Sequence, residues 1–438
     1  VEDRSTFIMI ILAALFLMLG TLTAHAQTAS PTATPTPGLC SIDTLPSPPN
    51  PPNTPTDCRT GAEPPPSLLG VSGSNFNSVG YVKKTNTITC CTGTLGALVI
   101  NNKAVPMVLG SSHILARNSS TTKSAAANEA IVQPGLVDLG CWQDPTDQIA
   151  KLTNWSKINF SGGPNTLDAA VATVINQEQT PGGPQVPGID PSGRILNIGQ
   201  ISTTPFPFTS LTDAMFVVKM GRGSCLTSGQ IDAFDAMGKV VYPGKVCNVV
   251  SAGTALFDHQ ILVIGAAFDN PSGQACAFAQ TGDSGALVVT ADFSCPQAIG
   301  MIFAGTSAAG TLYGPEISST IVAVNPIGTI LNKFGVTLVG QSCTPSAFSS
   351  ALDSQMPQVS AAKRQSIEVV RKVKERHATR LLKIDEVTAV GIGAGDDADH
   401  AALNVYLAKD TPAIRAMIPA EIDGVKVHIR HAPKFQIL

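Results

Sequence analysis

Apolar and polar positions divide the chain into stretches of different texture. From about Leu68 to Pro345 short apolar runs recur between glycine, asparagine and proline turns, among them Thr94–Val99, Val105–Leu109, Ala169–Ile175, Met215–Met220, Gln260–Ile264, Ala286–Thr290 and Ala298–Ala304. Runs of this length bounded by turn residues predict β-strands, and their density predicts an all-β barrel or sandwich. No helical pattern of 10–15 residues alternates with them, which disfavours a doubly wound parallel sheet. From about Ser350 the pattern changes. Ala361–Leu382 is rich in helix formers, and Lys363–Arg380 carries charge like a solvated helix face. Strands follow at Val387–Ile392, Ala402–Ala408 and Val425–Ile429, with a turn at Gly393–Asp399 and a short helix around Thr411–Met417 that has Pro412 in its first turn. This is the pattern of a small α+β module.

Before the strands, Thr28 to Ser67 holds twelve prolines among Thr, Ser and Asn. Such a stretch can form neither a helix nor a central strand and reads as an extended linker. Ahead of it, Arg4, the apolar run Phe7–Leu19 and Thr21-Leu-Thr-Ala-His-Ala26 have the layout of a secretory signal peptide cleaved after Ala26. The expected division is therefore 1–26 signal peptide, 27–67 linker, 68–345 β-domain and 350–438 α+β module. No later segment is long and apolar enough to span a membrane, so a secreted or periplasmic protein is expected.

The 438 residues carry a formal net charge of −3, without the basic field that dominates phosphate-backbone binding. Nucleic acid is not an expected partner. Export permits disulfides, and none of the ten cysteines forms the Cys-x-x-Cys pairs of a structural zinc site. Short loops suggest Cys225 with Cys247, Cys276 with Cys295 and Cys40 with Cys58, leaving Cys141 to reach back to Cys90 or Cys91. The histidines show no metal-ligand spacing, and neither a metal nor an organic cofactor is expected.

Thr281-Gly-Asp-Ser-Gly-Ala286 lies just ahead of an apolar strand. Glycines on both sides of Asp-Ser permit a tight turn with N–H groups on one side, as needed to hold an oxyanion beside a nucleophile, here Ser284. A serine needs a base. Four of the seven histidines lie in the C-terminal module and His25 in the leader; of the two in the β-domain, His113 ends an apolar strand in Val108-Leu-Gly-Ser-Ser-His-Ile-Leu-Ala116, and His259 sits in Phe257-Asp-His-Gln260. A carboxylate that orients the imidazole should be held among apolar residues. Asp168, opening the strand in Asn165-Thr-Leu-Asp-Ala-Ala-Val-Ala172, meets that condition, while Asp138 and Asp147 read as exposed turn aspartates.

His113, Asp168 and Ser284 follow the His, Asp, Ser chain order of the chymotrypsin/trypsin-like serine peptidases, and the chain resembles that superfamily over roughly Leu68–Leu338. Cys91-Thr-Gly-Thr-Leu-Gly-Ala-Leu-Val99, Lys219-Met-Gly-Arg-Gly-Ser-Cys-Leu-Thr-Ser-Gly-Gln-Ile231 and Ala298-Ile-Gly-Met-Ile-Phe-Ala-Gly305 are similar to further segments of it. Ile131-Val-Gln-Pro-Gly-Leu-Val-Asp138 and Val324-Asn-Pro-Ile-Gly328 resemble bacterial relatives of the plant narrow-leaf protease. The resemblance implies a double β-barrel with the site between barrels and a polypeptide substrate. It also implies a catalytic triad of His113, Asp168 and Ser284, an oxyanion hole from the N–H groups of Gly282 and Ser284, and a substrate pocket at Phe278, Gly305, Thr306 and Ser307. Ile114 stands where the family has a half-cystine, and nothing near Leu68 matches the start of a trypsin-type zymogen, so Asp283 need not pair with a freed amino terminus. The absence of an acidic pocket residue disfavours cleavage after Lys or Arg. Alternatives are a protease-like barrel that binds a cell-envelope ligand without turnover, or an esterase using the same triad. For the C-terminal module the sequence leaves an inhibitory or folding-assisting segment docked on the β-domain, or an independent domain, and its apolar content leans to the latter.

Overall fold

The computed structural model describes residues 65–83, 85–178, 182–213, 215–244, 247–266, 276–306, 318–343 and 359–438. The signal peptide, the linker as far as residue 64, the Cys40–Cys58 pair and Ser307 lie outside these residues, whereas Ser67, expected to end the linker, is buried and donates its N–H to Gly188 O. Eight strands build a first sheet: β1 (Ser72–Asn75), β2 (Gly93–Thr94), β3 (Ala97–Asn101), β4 (Pro106–Gly110), then, after a one-turn helix α1 (Ser112–Leu115), β5 (Ala130–Val132), β6 (Gln148–Trp155) and β7 (Ala170–Val174), with one strand arriving later from the chain. β2 and β3 are successive parts of one segment, yet β2 pairs with β1 and β3 with β4 near opposite ends of the sheet. The sheet therefore rolls back on itself.

The second sheet starts with β8 (Phe216–Gly221), β9 (Cys225–Tyr242), β10 (Gly253–Gly265), β11 (Leu287–Thr290), β12 (Ala298–Thr306) and β13 (Ile321–Pro326). Their pairings run β8-β11-β12-β13-β10-β9 and return to β8, all antiparallel, which closes a six-stranded barrel. Closure needs strands apolar on the inside, and Ile231, Ile261, Val288, Ile302 and Val324 are buried there. Helix α2 (Ile327–Phe334) buries Ile327 and Ile330 in the core of the first sheet, and β14 (Val336–Leu338) joins β3, so the chain returns to the first sheet after finishing the second. The fold is mainly β, as expected from the sequence.

The C-terminal module runs α3 (Ala361–Leu381), β15 (Val387–Ala394), β16 (Ala401–Leu407), a helical turn at Pro412–Arg415, β17 (Glu421–Ile422), β18 (Val425–His431) and β19 (Phe435–Ile437), which is the expected order with two unforeseen short strands, β17 and β19. It is not independent. β15 pairs with the middle of β9, so the barrel and the module share one 11-stranded sheet. Ile367, Val370, Val373, Ala378 and Leu381 recur at helical spacing and bury one face of α3 in the core that also holds the barrel interior. Burial of each Ile, Val or Leu among these stabilises by about 1.5–3 kcal/mol, more than exposed charge on the opposite face contributes. Nor is α3 charged only toward solvent: the fully buried ammonium of Lys374 lies 3.1 Å from Asp235 Oδ1 and 2.6 Å from Asp258 Oδ1.

Asp235, Asp258 and His259 present ligand atoms close enough together to hold a metal ion, but Lys374 already supplies a cation to both carboxylates. The His259 pKa is raised by its hydrogen bond to Asp235, opposed by partial burial and aided by the charge of Asp258. A raised pKa contributes stability fully present below the ordinary value of 6.5 and lost as pH rises through the folded value. His259→Gln is thus expected to lower the urea midpoint at pH 5.5 more than at pH 8.5. The difference should stay under about 1 kcal/mol because half of the side chain faces solvent.

Two of the expected disulfides are wrong. Cys90–Cys141 forms as expected, but Cys247 bonds Cys91 rather than Cys225, and Cys295 bonds Cys343 rather than Cys276. The Cys91 bridge closes a separation of 156 residues. Rolled sheets bring distant segments together, so short loops are a poor guide to pairing here. Cys225 and Cys276 are each disulfide-bonded. Among the described residues no helix is long and apolar enough to cross a membrane.

Candidate active site

β4 ends at Gly110 and the chain turns at once into α1, which carries His113, while β7 starts two residues after Asp168. β4 and β7 are neighbours in the first sheet, and this sets the two side chains together. Asp168 is fully buried and accepts three hydrogen bonds: from the His113 backbone N–H at 3.0 Å, from His113 Nδ1 at 2.8 Å and from the Tyr242 hydroxyl at 2.6 Å. Its own main chain is fixed by Asn325, which accepts the Asp168 N–H and donates to its carbonyl. Burial pushes the Asp168 pKa up, but the positive charge His113 can carry and the three donors outweigh it and leave the carboxyl below its usual range. Burial, and then the Asp168 charge, pushes Tyr242 well above its usual value, so that hydroxyl stays a donor. An ionised Asp168 holds the proton of His113 on Nδ1 and leaves Nε2 with a free lone pair. That nitrogen is buried and has no partner among the described residues.

Ser284 comes from the second sheet, on the turn entering β11. Gly282 and Gly285 have φ of +101° and +99°, a region costly for any residue with a side chain. At Gly285 a Cβ would also stand 2.1 Å from the Thr94 carbonyl oxygen, so no other residue fits. The turn is pinned by Asp283 N–H to Gln280 O, Gly285 N–H to Ile302 O, and Thr94 N–H to Ser284 O. The N–H groups of Gly282 and Ser284 are not used in these bonds. The turn lies against the histidine segment: a Cβ on Gly93 would meet Ser284 O at 2.6 Å and the Ile114 side chain at 2.7 Å. The Ser284 hydroxyl, however, donates to Phe303 O at 3.2 Å and not to His113. Of the three predicted residues, the structure joins His113 to Asp168 directly and brings the Ser284 turn alongside without that last bond.

Asp283, next to the serine, is completely buried, and Lys219 Nζ lies 3.2 Å from it. It also accepts from the N–H groups of Gly223, Ser224 and Gln280 and from the Ser224 hydroxyl. Burial lowers the Lys219 pKa, and the neighbouring Asp283 charge works against that. An internal lysine thus anchors the aspartate, and no freed amino terminus is required. Lys219 had a readable signal, a charge inside the apolar run Val217-Val-Lys-Met220, where an unpaired ammonium would be costly.

Asp138 is not the exposed turn aspartate expected from sequence. Its side chain is 4% exposed and forms a forked ion pair with Arg222, whose own N–H donates to Thr94 Oγ1. Asp147 is partly exposed, and its pKa is raised by partial burial and then by Asp144. Of the expected pocket residues, Phe278 is at 0% exposure in the barrel core, and Gly305 and Thr306 form the end of β12, where β19 pairs with them.

No protein-family profile and no curated protein matches this chain. Among solved structures it is similar to Thermobifida fusca protease A, with 14% identity and a TM-score of 0.32 over 63% of this chain and 98% of that one. It is similar to the Nocardiopsis protease NAPase at 12% identity and a TM-score of 0.30, over 62% of this chain and 97% of that one. For the Cellulomonas bogoriensis chymotrypsin the values are 13% and 0.31, over 63% and 98%.

Proposed function

We propose that the chain is an exported serine endopeptidase of chymotrypsin-like type, with 68–345 as the catalytic region and 350–438 as an appended module. The observation that carries this reading is the buried His113–Asp168 pair with Nε2 unpartnered beside the Gly-Asp-Ser-Gly turn. For reaction the Ser284 hydroxyl turns from Phe303 O to His113 Nε2. Ser284 Oγ then bonds the peptide carbonyl carbon as its proton passes to Nε2, and the N–H groups of Gly282 and Ser284 receive the oxyanion. Collapse breaks the C–N bond and the imidazolium gives its proton to the leaving amine. Water, deprotonated by the same nitrogen, then releases the acyl group. Asp168 stabilises the imidazolium without taking its proton. Each oxyanion donor is worth about 10²–10³ in rate. The disulfides and the leader-like amino-terminal segment support export. The likeness to bacterial relatives of the narrow-leaf protease rests on sequence motifs.

A fluorophosphonate probe tests the reading, since it phosphonylates only an activated serine. The expected result is one adduct per chain on the parent and none on Ser284→Ala. An adduct formed equally by Ser284→Ala overturns it, as does the absence of any adduct on both the parent and a folded chain lacking residues 435–438.

A further inference from the structure

We infer that the cleft at Ser284 is a binding site for an extended apolar peptide laid along β12, and that residues 435–438 of the same chain occupy it at rest. This deepens the peptidase reading and rests on it for the chemistry that follows binding.

β11 pairs with β12 only as far as Met301, because at Leu287 the chain leaves for the nucleophile turn. From Ala304 to Thr306 that edge of β12 has no barrel strand beside it. β19 takes the place: Ile437 lies opposite Ala304, Gln436 opposite Gly305 and Phe435 opposite Thr306, antiparallel, while Val240 and Val241 at the end of β9 pair with its other edge. Unpaired strand edges bind added strands through main-chain bonds, with alternate side chains setting preference. The antiparallel direction carries the chain onward to Ser284. Leu438 N–H donates to Phe303 O, the same oxygen that receives the Ser284 hydroxyl. The Leu438 backbone is thus two hydrogen bonds from the nucleophile.

The side chains match the cleft. Leu438, 4% exposed, packs into the core that holds Phe278, Ala279 and Ile302, and Phe435 joins Tyr242, Phe257 and Phe303. With the segment seated, Ser284 is 0% exposed and His113 4%, so no substrate reaches them. One position fits poorly. Gln436 is buried, and its Nε2 has no partner among the described residues, which weakens the seat and favours a guest with an apolar residue there. The class of ligand follows: an uncharged extended peptide with an aliphatic residue nearest Ser284 and an aromatic one three places before it. Cleavage falls after the aliphatic residue.

A short tether gives an intramolecular segment a local concentration on the order of millimolar, so a free peptide is tested on a chain ending at Lys434. Two readouts are needed: the fluorophosphonate labelling rate, and anisotropy of fluorescein-labelled Lys-Phe-Gln-Ile-Leu on the Ser284→Ala background. The shortened chain is expected to label at least tenfold faster than the parent, and the peptide to restore the slow rate. A peptide with Asp in place of the last Leu should not. The labelled peptide should bind shortened Ser284→Ala and not its full-length counterpart. Should the shortened chain fail to melt cooperatively, full-length Gln436→Pro, which removes an N–H from a strand paired on both sides, is expected to give the same acceleration. Unchanged labelling in every folded form with no peptide binding overturns the site and leaves the peptidase reading intact. Peptide binding without labelling in any form overturns the peptidase reading and leaves the site.

Discussion

Asp168→Asn is expected to lower kcat on a peptide substrate by about 10⁴-fold, with KM little changed, when measured in the chain lacking residues 435–438. The asparagine can still accept the His113 backbone N–H, so the geometry survives. Its amide, however, can donate to Nδ1 and stabilise the tautomer with the proton on Nε2, which then cannot accept the serine proton. Tyr242→Phe removes one of the three donors to Asp168 and is expected to have a far smaller effect on kcat. A stability measurement separates the two roles of this carboxylate. Its pKa is lowered in the folded protein, so it contributes stability that is present above the ordinary value of 3.8 and lost as pH falls through the folded value. The parent should therefore lose more stability than Asp168→Asn when acidified below about pH 4. Equal kcat in the two proteins would remove Asp168 from the mechanism.

Lys219→Met is expected to destabilise the fold by about 3–5 kcal/mol, because it strands the completely buried Asp283 without a counter-charge. Chemical denaturation provides the check. Asp283 gathers two backbone N–H groups from the turn between β8 and β9 and one from Gln280, just ahead of the Gly-Asp-Ser-Gly turn, and so holds the two turns together; the same substitution should therefore abolish fluorophosphonate labelling even at temperatures where the variant is folded. Adding Asp283→Asn should return part of the stability, since no isolated charge then remains. A variant as stable as the parent would show that Asp283 is held by its hydrogen bonds alone.

How much of this was legible in the sequence depended on whether the signal was local. Strands flanked by glycine and proline turns were readable, as was α3, because period and punctuation act over a few residues. Asp168 was readable by one argument, that a charge opening an apolar strand must have a partner. The same argument applied to Lys219, whose partner lies 64 positions away (283 − 219), and there it went unused. β19 was missed since the alternation of Phe435-Gln-Ile437 lasts only three residues after Pro433 and Lys434, too few to stand out as a strand; it is a strand only because two other strands leave a gap of its width. Two disulfide pairings, Cys225 with Cys247 and Cys276 with Cys295, failed for a related reason, that sheet closure decides which cysteines meet. α3 looked solvated because its charged residues outnumber the apolar ones, and only the barrel explains why Lys374 and Lys363 are buried, each beside an aspartate.

The long strand β9, shared between the barrel and the module, ties maturation to the order of synthesis. A ribosome adds roughly 5–20 residues per second, so the edge of β9 that will pair with β15 emerges on the order of ten seconds before its partner does. During that interval the nascent barrel presents an open ladder to other chains, the condition under which strands pair wrongly and aggregate. Slow translocation across a membrane, or a holdase that covers residues 233–241, would protect the newborn chain. The same delay means that the Gly-Asp-Ser-Gly turn can be formed before β19 arrives beside β12, which sets a brief period in which a young molecule is exposed to its neighbours.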